Sequence, residues 1–129
     1  MHELVEELFD DTKEMTLEAY QDKAAEYIFY KGALLYPTLG LNGEAGEVAE
    51  KVKKLHRDDE MNFLTEDFPD QLDPEDAFEL ALELGDVLFY LAACAGDIGY
   101  SLEEVAELNI EKLKDRKERG KLAGSGDFR

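Results

Sequence analysis

The sequence predicts an all-α domain, and three observations predict it. Apolar residues recur at spacings of three and four nearly throughout, no window of strict alternation between turn signals competes with that period, and helix-capping residues stand where the periodic runs begin. The 129 residues make one ordinary domain and are too few for two independent cores. Hydrophobic residues at 44% and aromatics at 10% supply a packed interior, while three prolines and ten glycines are too few for a low-complexity chain. The expectation is a single unit over 1–129, a four- to five-helix bundle.

Leu4, Val5, Leu8 and Phe9 predict a short amphipathic start. Thr16 then caps a helix expected to run to about residue 30, with Ala24, Tyr27, Ile28 and Leu34 or Leu35 continuing its inner face and Pro37 ending it. A further helix is expected over 38–56, where Leu41, Ala45, Val48, Val52 and Leu55 share one side. Gly40, Gly43 and Gly46 in its first half each cost up to ~1 kcal/mol against Ala, which points to close approach of something to that backbone.

Residues 58–76 hold nine acids and no base, with Pro69 and Pro74 as breakers, so 58–73 is expected to be a solvated connector; the alternative is an acidic binding loop. Asp73 as N-cap and Pro74 at the first helical position open a helix expected to reach residue 98, where Gly99 stops it. Ser101 with Glu104 forms a capping box for a last helix to about residue 119, ended by Gly120. The Gly-rich tail over 120–129 is either flexible or folded over a ligand.

Thirty-two acids against fourteen bases give a formal charge of -18, which repels a phosphate backbone across most of the surface and excludes a general nucleic-acid binder. Solubility, a salt-rich cytoplasm or carboxylates held by divalent cations would each account for the excess. The first residues lack a positive n-region and an apolar h-region, and no uncharged run approaches a membrane span, so a soluble cytoplasmic protein without a membrane partner is expected. Cys94 cannot make an internal disulfide and reads as a small core residue.

The segment 80–98 is apolar or small almost all round apart from Glu83, Asp86, Tyr90 and Asp97, which predicts a helix buried on most sides. Glu79, Glu83, Asp86 and Tyr90 make one stripe on it, and no Lys or Arg of that helix can pair with them. On the preceding long helix, Glu44, Glu47 and Glu50 also follow three-and-four spacing. Glu47 lies about nine residues before the connector and Glu83 nine after Pro74, ~14 Å from the same end at 1.5 Å per residue, so an antiparallel hairpin sets the two pairs at one level.

Four carboxylates converging from Glu44, Glu47, Glu83 and Asp86 would repel one another if left alone, and hard oxygen donors suit Mg²⁺ or Mn²⁺ rather than zinc. The bland alternative pairs surface acids with Lys51, Lys53 or Lys54; it suits Glu50, and Glu44 alone, but suits Glu83 and Asp86 poorly. A redox di-iron bundle wants Glu-x-x-His, and neither His2 nor His56 stands three residues after a Glu. His56, at a helix end beside Arg57, reads as solvated or capping. Between residues 109 and 121 six bases stand against three acids, a local positive segment that suits a metal-bound polyphosphate as well as it suits helix-end complementation.

The stretches LNGEAGEVAEKVKK and ELGDVLFYLAACAGDIGYSLEEVAELNIEKLKDRKERG resemble the MazG-like all-α nucleoside triphosphate pyrophosphohydrolases, in the manner of a single-domain member. The family's metal motif, Glu-x-x-Glu followed on the next helix by Glu-x-x-Asp, matches Glu44, Glu47, Glu83 and Asp86 in order. The resemblance implies Mg²⁺-dependent hydrolysis of nucleoside triphosphates, often deoxy or noncanonical, to the monophosphate and pyrophosphate by a homodimer or homotetramer. It implies that Asn109, Lys112 and Arg116 contact the nucleotide or its phosphates, and that Lys121 and the tail close over the site. Glu47 is the expected orienter of the attacking water, and Glu83 is expected to be essential. Relatives acting on dUTP or phosphoribosyl-ATP, and a non-catalytic nucleotide- or metal-binding module, are the competing functions. Thirty-five residues separate Glu47 from Glu83, more than the family's usual spacing, because the acidic connector is long.

Overall fold

The structure is a computed structural model that describes residues 14–65 and 71–124, and every described element is helical. The helices are α1 (Leu17–Ala25), α2 (Leu35–Asp58), α3 (Pro74–Asp97) and α4 (Leu102–Glu118). The helix expected around Leu4 to Phe9 and the last five tail residues lie outside the described residues.

Local chemistry places most helix ends. The Thr16 hydroxyl accepts from Ala19 N, Asp73 accepts from Glu75 N ahead of Pro74, and Ser101 and Glu104 form a reciprocal capping box. Past α3, Gly99 takes φ 82° while Tyr100 N donates to Ala95 O and Gly99 N to Gly96 O. Past α4, Gly120 takes φ 67° while Lys121 N donates to Arg116 O and Gly120 N to Lys117 O. Both ends are Schellman motifs, which need a residue that tolerates positive φ.

Two boundaries differ from expectation. α1 stops at Ala25 with Glu26 as its C-cap, the chain turns at Gly32 with φ 94°, and Tyr30 between them stacks on Tyr36 with ring centroids 4.2 Å apart. Pro37 does not end α1. It is fully buried in the first turn of α2, where its missing N–H is one that the helix leaves unpaired in any case. α2 opens on Leu34 at φ 58°, whose N–H donates to Asp97 Oδ2 at 2.6 Å.

α2 and α3 form an antiparallel hairpin, the most extensive helix pairing of the fold. Its register pairs Thr38 with Cys94, Gly40 with Tyr90, and Lys51 with Glu79. α1 and α4 pack on α3, and Gln21 ties the three together. Its Nε2 donates to Ala92 O and Tyr100 O, and its Oε1 accepts from Leu102 N, an N-terminal donor of α4 that has no intrahelical partner. The buried residues there are small: Ala24, Ala92, Ala93 and Ala95, with Leu102.

α3 is therefore not buried on most sides. Its buried residues sit near the C-terminus, whereas Leu82 and Leu84 are each 55% exposed, because in one chain α2 covers only one flank of its first half. Cys94 is half-buried beside Thr38. The described part of the connector, 59–65 and 71–73, is mainly exposed.

The glycines of α2 separate in the same way. A Cβ on Gly40 would stand 2.6 Å from the Tyr90 ring, whereas one on Gly43 or Gly46 meets open space. Gly40→Ala should lower stability by about 1–3 kcal/mol through overpacking, and Gly43→Ala should raise it by up to ~1 kcal/mol through helix propensity. Urea unfolding of the two variants beside the wild type checks both signs.

Candidate functional site

One hairpin seam carries the site. Glu44 on α2 meets Glu83 and Asp86 on α3, each offering one carboxylate oxygen, and the three oxygens lie within 4.8 Å of one another. Glu44 and Glu83 are half-buried and Asp86 is exposed. The antiparallel register explains the meeting: one turn away on each helix, the Tyr90 ring lies against Gly40, where only a hydrogen leaves room for it.

The electrostatics follow from that proximity. Partial burial raises the Glu44 carboxyl above the ordinary glutamate range, and the negative charges of Asp86, Glu83 and Glu47 push it further the same way. Burial likewise raises the Tyr90 hydroxyl, with Tyr36, Glu44 and Asp86 adding to it. Glu47 is thus within electrostatic reach, but it is exposed and outside the three-carboxylate cluster.

A cation from the opposite helix touches the seam. Lys51 Nζ lies 2.8 Å from Glu79 Oε2 and 3.7 Å from Glu83 Oε1. The hydrogen bond to Glu79 raises the Lys51 ammonium's pKa against the opposing effect of desolvation. The stripe on α3, which has no base of its own, therefore finds its partner on α2, a tertiary pairing invisible to spacing within one helix. Glu50 turns away to Lys53 and Lys54, as the bland alternative has it for that residue. His56 stands in the last turn of α2, its Nδ1 3.5 Å from Met61 O.

The residues implied in nucleotide contact lie on α4 and just beyond. Asn109 and Lys112 are exposed, Arg116 is buried at 6% exposure, and Lys121 is exposed with its backbone N–H closing the α4 end. Sequence reasoning missed Gln21, Tyr30 and Tyr36, since a lone glutamine or tyrosine on an amphipathic segment gives no signal of what it meets across the fold.

Carboxylate oxygens alone, with no histidine or thiolate in the cluster, are a donor set that fits a hard divalent cation such as Mg²⁺ or Mn²⁺. The fold and site together define an all-helical protein with an acidic hairpin seam. The chain belongs to the MazG nucleotide pyrophosphohydrolase domain family, which it matches over residues 36–120. That span takes in both hairpin helices and α4. It is also 40% identical over 123 residues to the Gene 37 protein of Mycobacterium phage L5, covering 89% of this chain and 100% of that one. No solved structure matches it. No helix among the described residues is long and apolar enough to cross a membrane.

The raised Glu44 pKa has a defined sign. The folded protein holds this proton more tightly than the unfolded chain, so its contribution to stability falls as pH rises from the ordinary glutamate value through the raised one. Glu44→Gln removes that component. In thermal melts with EDTA, the variant's advantage over wild type should grow as pH rises across that window and be smallest below it.

Proposed function

We propose that this protein hydrolyses nucleoside or deoxynucleoside triphosphates, noncanonical ones included, to the monophosphate and pyrophosphate. The observation that carries the proposal is the meeting of Glu44 with Glu83 and Asp86 across the hairpin, within a chain of the MazG nucleotide pyrophosphohydrolase family. Glu44, Glu83 and Asp86, with Glu47 one turn from Glu44, would hold Mg²⁺, for which Mn²⁺ substitutes. Bound there, Mg²⁺ supplies neutralisation of triphosphate charge and polarisation of the phosphoryl oxygens.

The chain's own residues do the rest. Glu47, exposed beside the cluster, orients the water that adds across the α–β phosphoanhydride. Asn109 and Lys112, both exposed on α4, contact the nucleotide, while Arg116 and Lys121 add positive charge at the end of the same helix. The protein works in the cytoplasm without nucleic acid as a partner.

The protein acts as a homodimer or homotetramer. Support comes from apolar residues that one chain leaves uncovered: Leu84 and Leu91 on one stripe of α3, Leu108 and Ile110 on α4, and Leu39 on α2 are all exposed. A second copy would bury that surface. Leu84→Glu should shift the sedimenting species toward the monomer, and an unchanged mass would place the interface elsewhere.

Pyrophosphate release from a panel of standard and modified NTPs and dNTPs, with dUTP and phosphoribosyl-ATP included, tests the activity and ranks the substrates. Glu83→Gln should cut turnover at least ~100-fold with helicity unchanged by circular dichroism, and EDTA should do the same to wild type. Full activity in Glu83→Gln would remove the site assignment; nucleotide binding without release would make the protein a binding module.

A further inference from the structure

Lys51 differs from its neighbours on α2. Its side chain is 29% exposed, against 58% for Lys53 and 55% for Lys54, both of which turn to Glu50 on their own helix. Lys51 instead crosses the hairpin and stands between two acids one turn apart on α3, Glu79 and Glu83. Glu83, with its side chain 22% exposed, belongs at once to this ion pair and to the three-carboxylate cluster. An ordinary exposed ion pair contributes little, but this one shares a carboxylate with the proposed cation site.

We infer that Lys51 is a resident counter-cation of the seam, which competes with a free divalent cation for Glu83 and keeps the site weak until the cation arrives with its nucleotide. The inference rests on the function proposed above. Along the seam the acids Glu44, Glu47, Glu79, Glu83 and Asp86 stand in two successive levels of the hairpin, and the Lys51 ammonium lies between Glu79 and Glu83. That ammonium relieves part of the carboxylate repulsion when no divalent cation is present. It also repels an incoming double charge a few ångströms away. A cation carried by a triphosphate comes with its own negative charge, so Lys51 then attracts the complex that it repels as bare metal. Lys51 is a positioning residue in this account, since it acts through Glu83.

The test is calorimetric titration of Mn²⁺ into the full chain at low salt without nucleotide, for wild type, Lys51→Met, Lys51→Arg and Glu83→Gln. A unit charge removed from about 6 Å in a water-like dielectric should tighten Mn²⁺ binding by about tenfold in Lys51→Met. Salt should shrink that gain, and Lys51→Arg should bind as wild type does. Lys51→Gln should give the same tightening and serves if the methionine variant aggregates. Unchanged or weaker Mn²⁺ binding in both neutral variants, with wild-type binding present and lost in Glu83→Gln, would overturn the inference alone. No Mn²⁺ binding in wild type or in either neutral variant, or full binding in Glu83→Gln, would overturn the cation site and the inference together.

Discussion

Like charges brought face to face across two helices are the constraint around which this fold is arranged. Glu44, Glu83 and Asp86 come within 4.8 Å because α2 and α3 share an antiparallel register, and partial burial together with the charges of Asp86 and Glu83 makes Glu44 harder to ionise. The hairpin must therefore be held by contacts that offset this repulsion. Tyr90 against Gly40 on one side of the cluster and Lys51 between Glu79 and Glu83 on the other serve that purpose. A seam fixed at both ends can hold its middle acids in a geometry that they would not choose alone.

The remaining helices stiffen α3 rather than enclose it. Gln21 reaches from α1 to a carbonyl of α3, the carbonyl of Tyr100 and the first amide of α4, so one side chain meets polar groups on two helices and the turn between them. Small residues at Ala24, Ala92, Ala93 and Ala95 let the backbones come close at that crossing. This construction anchors the C-terminal half of α3 and leaves leucines of its first half exposed.

The parts legible in the sequence were those decided by residues near one another in the chain. Thr16, Asp73 and the Ser101–Glu104 pair cap the helices, and Gly99 and Gly120 end them, through hydrogen bonds spanning a few residues. The Glu44, Glu83 and Asp86 cluster was legible because helical rise converts residue number into height. Pro37 misled because proline both ends helices and opens them, and here it sits buried in the first turn of α2. The burial of α3 was overestimated because apolar composition does not say which faces of a helix its neighbours cover: Leu82 and Leu84 are exposed where Ala92, Ala93 and Ala95 are buried. The crossing of Lys51 to Glu83 needed the tertiary register, which no spacing within α2 contains.

The described part of the acidic connector, 59–65 and 71–73, lies past the Lys51 and Glu79 level, at the hairpin end away from Tyr90. Insertions or deletions there lengthen or shorten the tip without sliding α2 against α3, because the register is set by the helices below it. The tip is thus the natural graft point of the molecule: an epitope, a fluorophore or a purification handle placed there would leave the carboxylates where they stand. The same decoupling would let descendants of this chain vary the tip freely while the two helices stay in step.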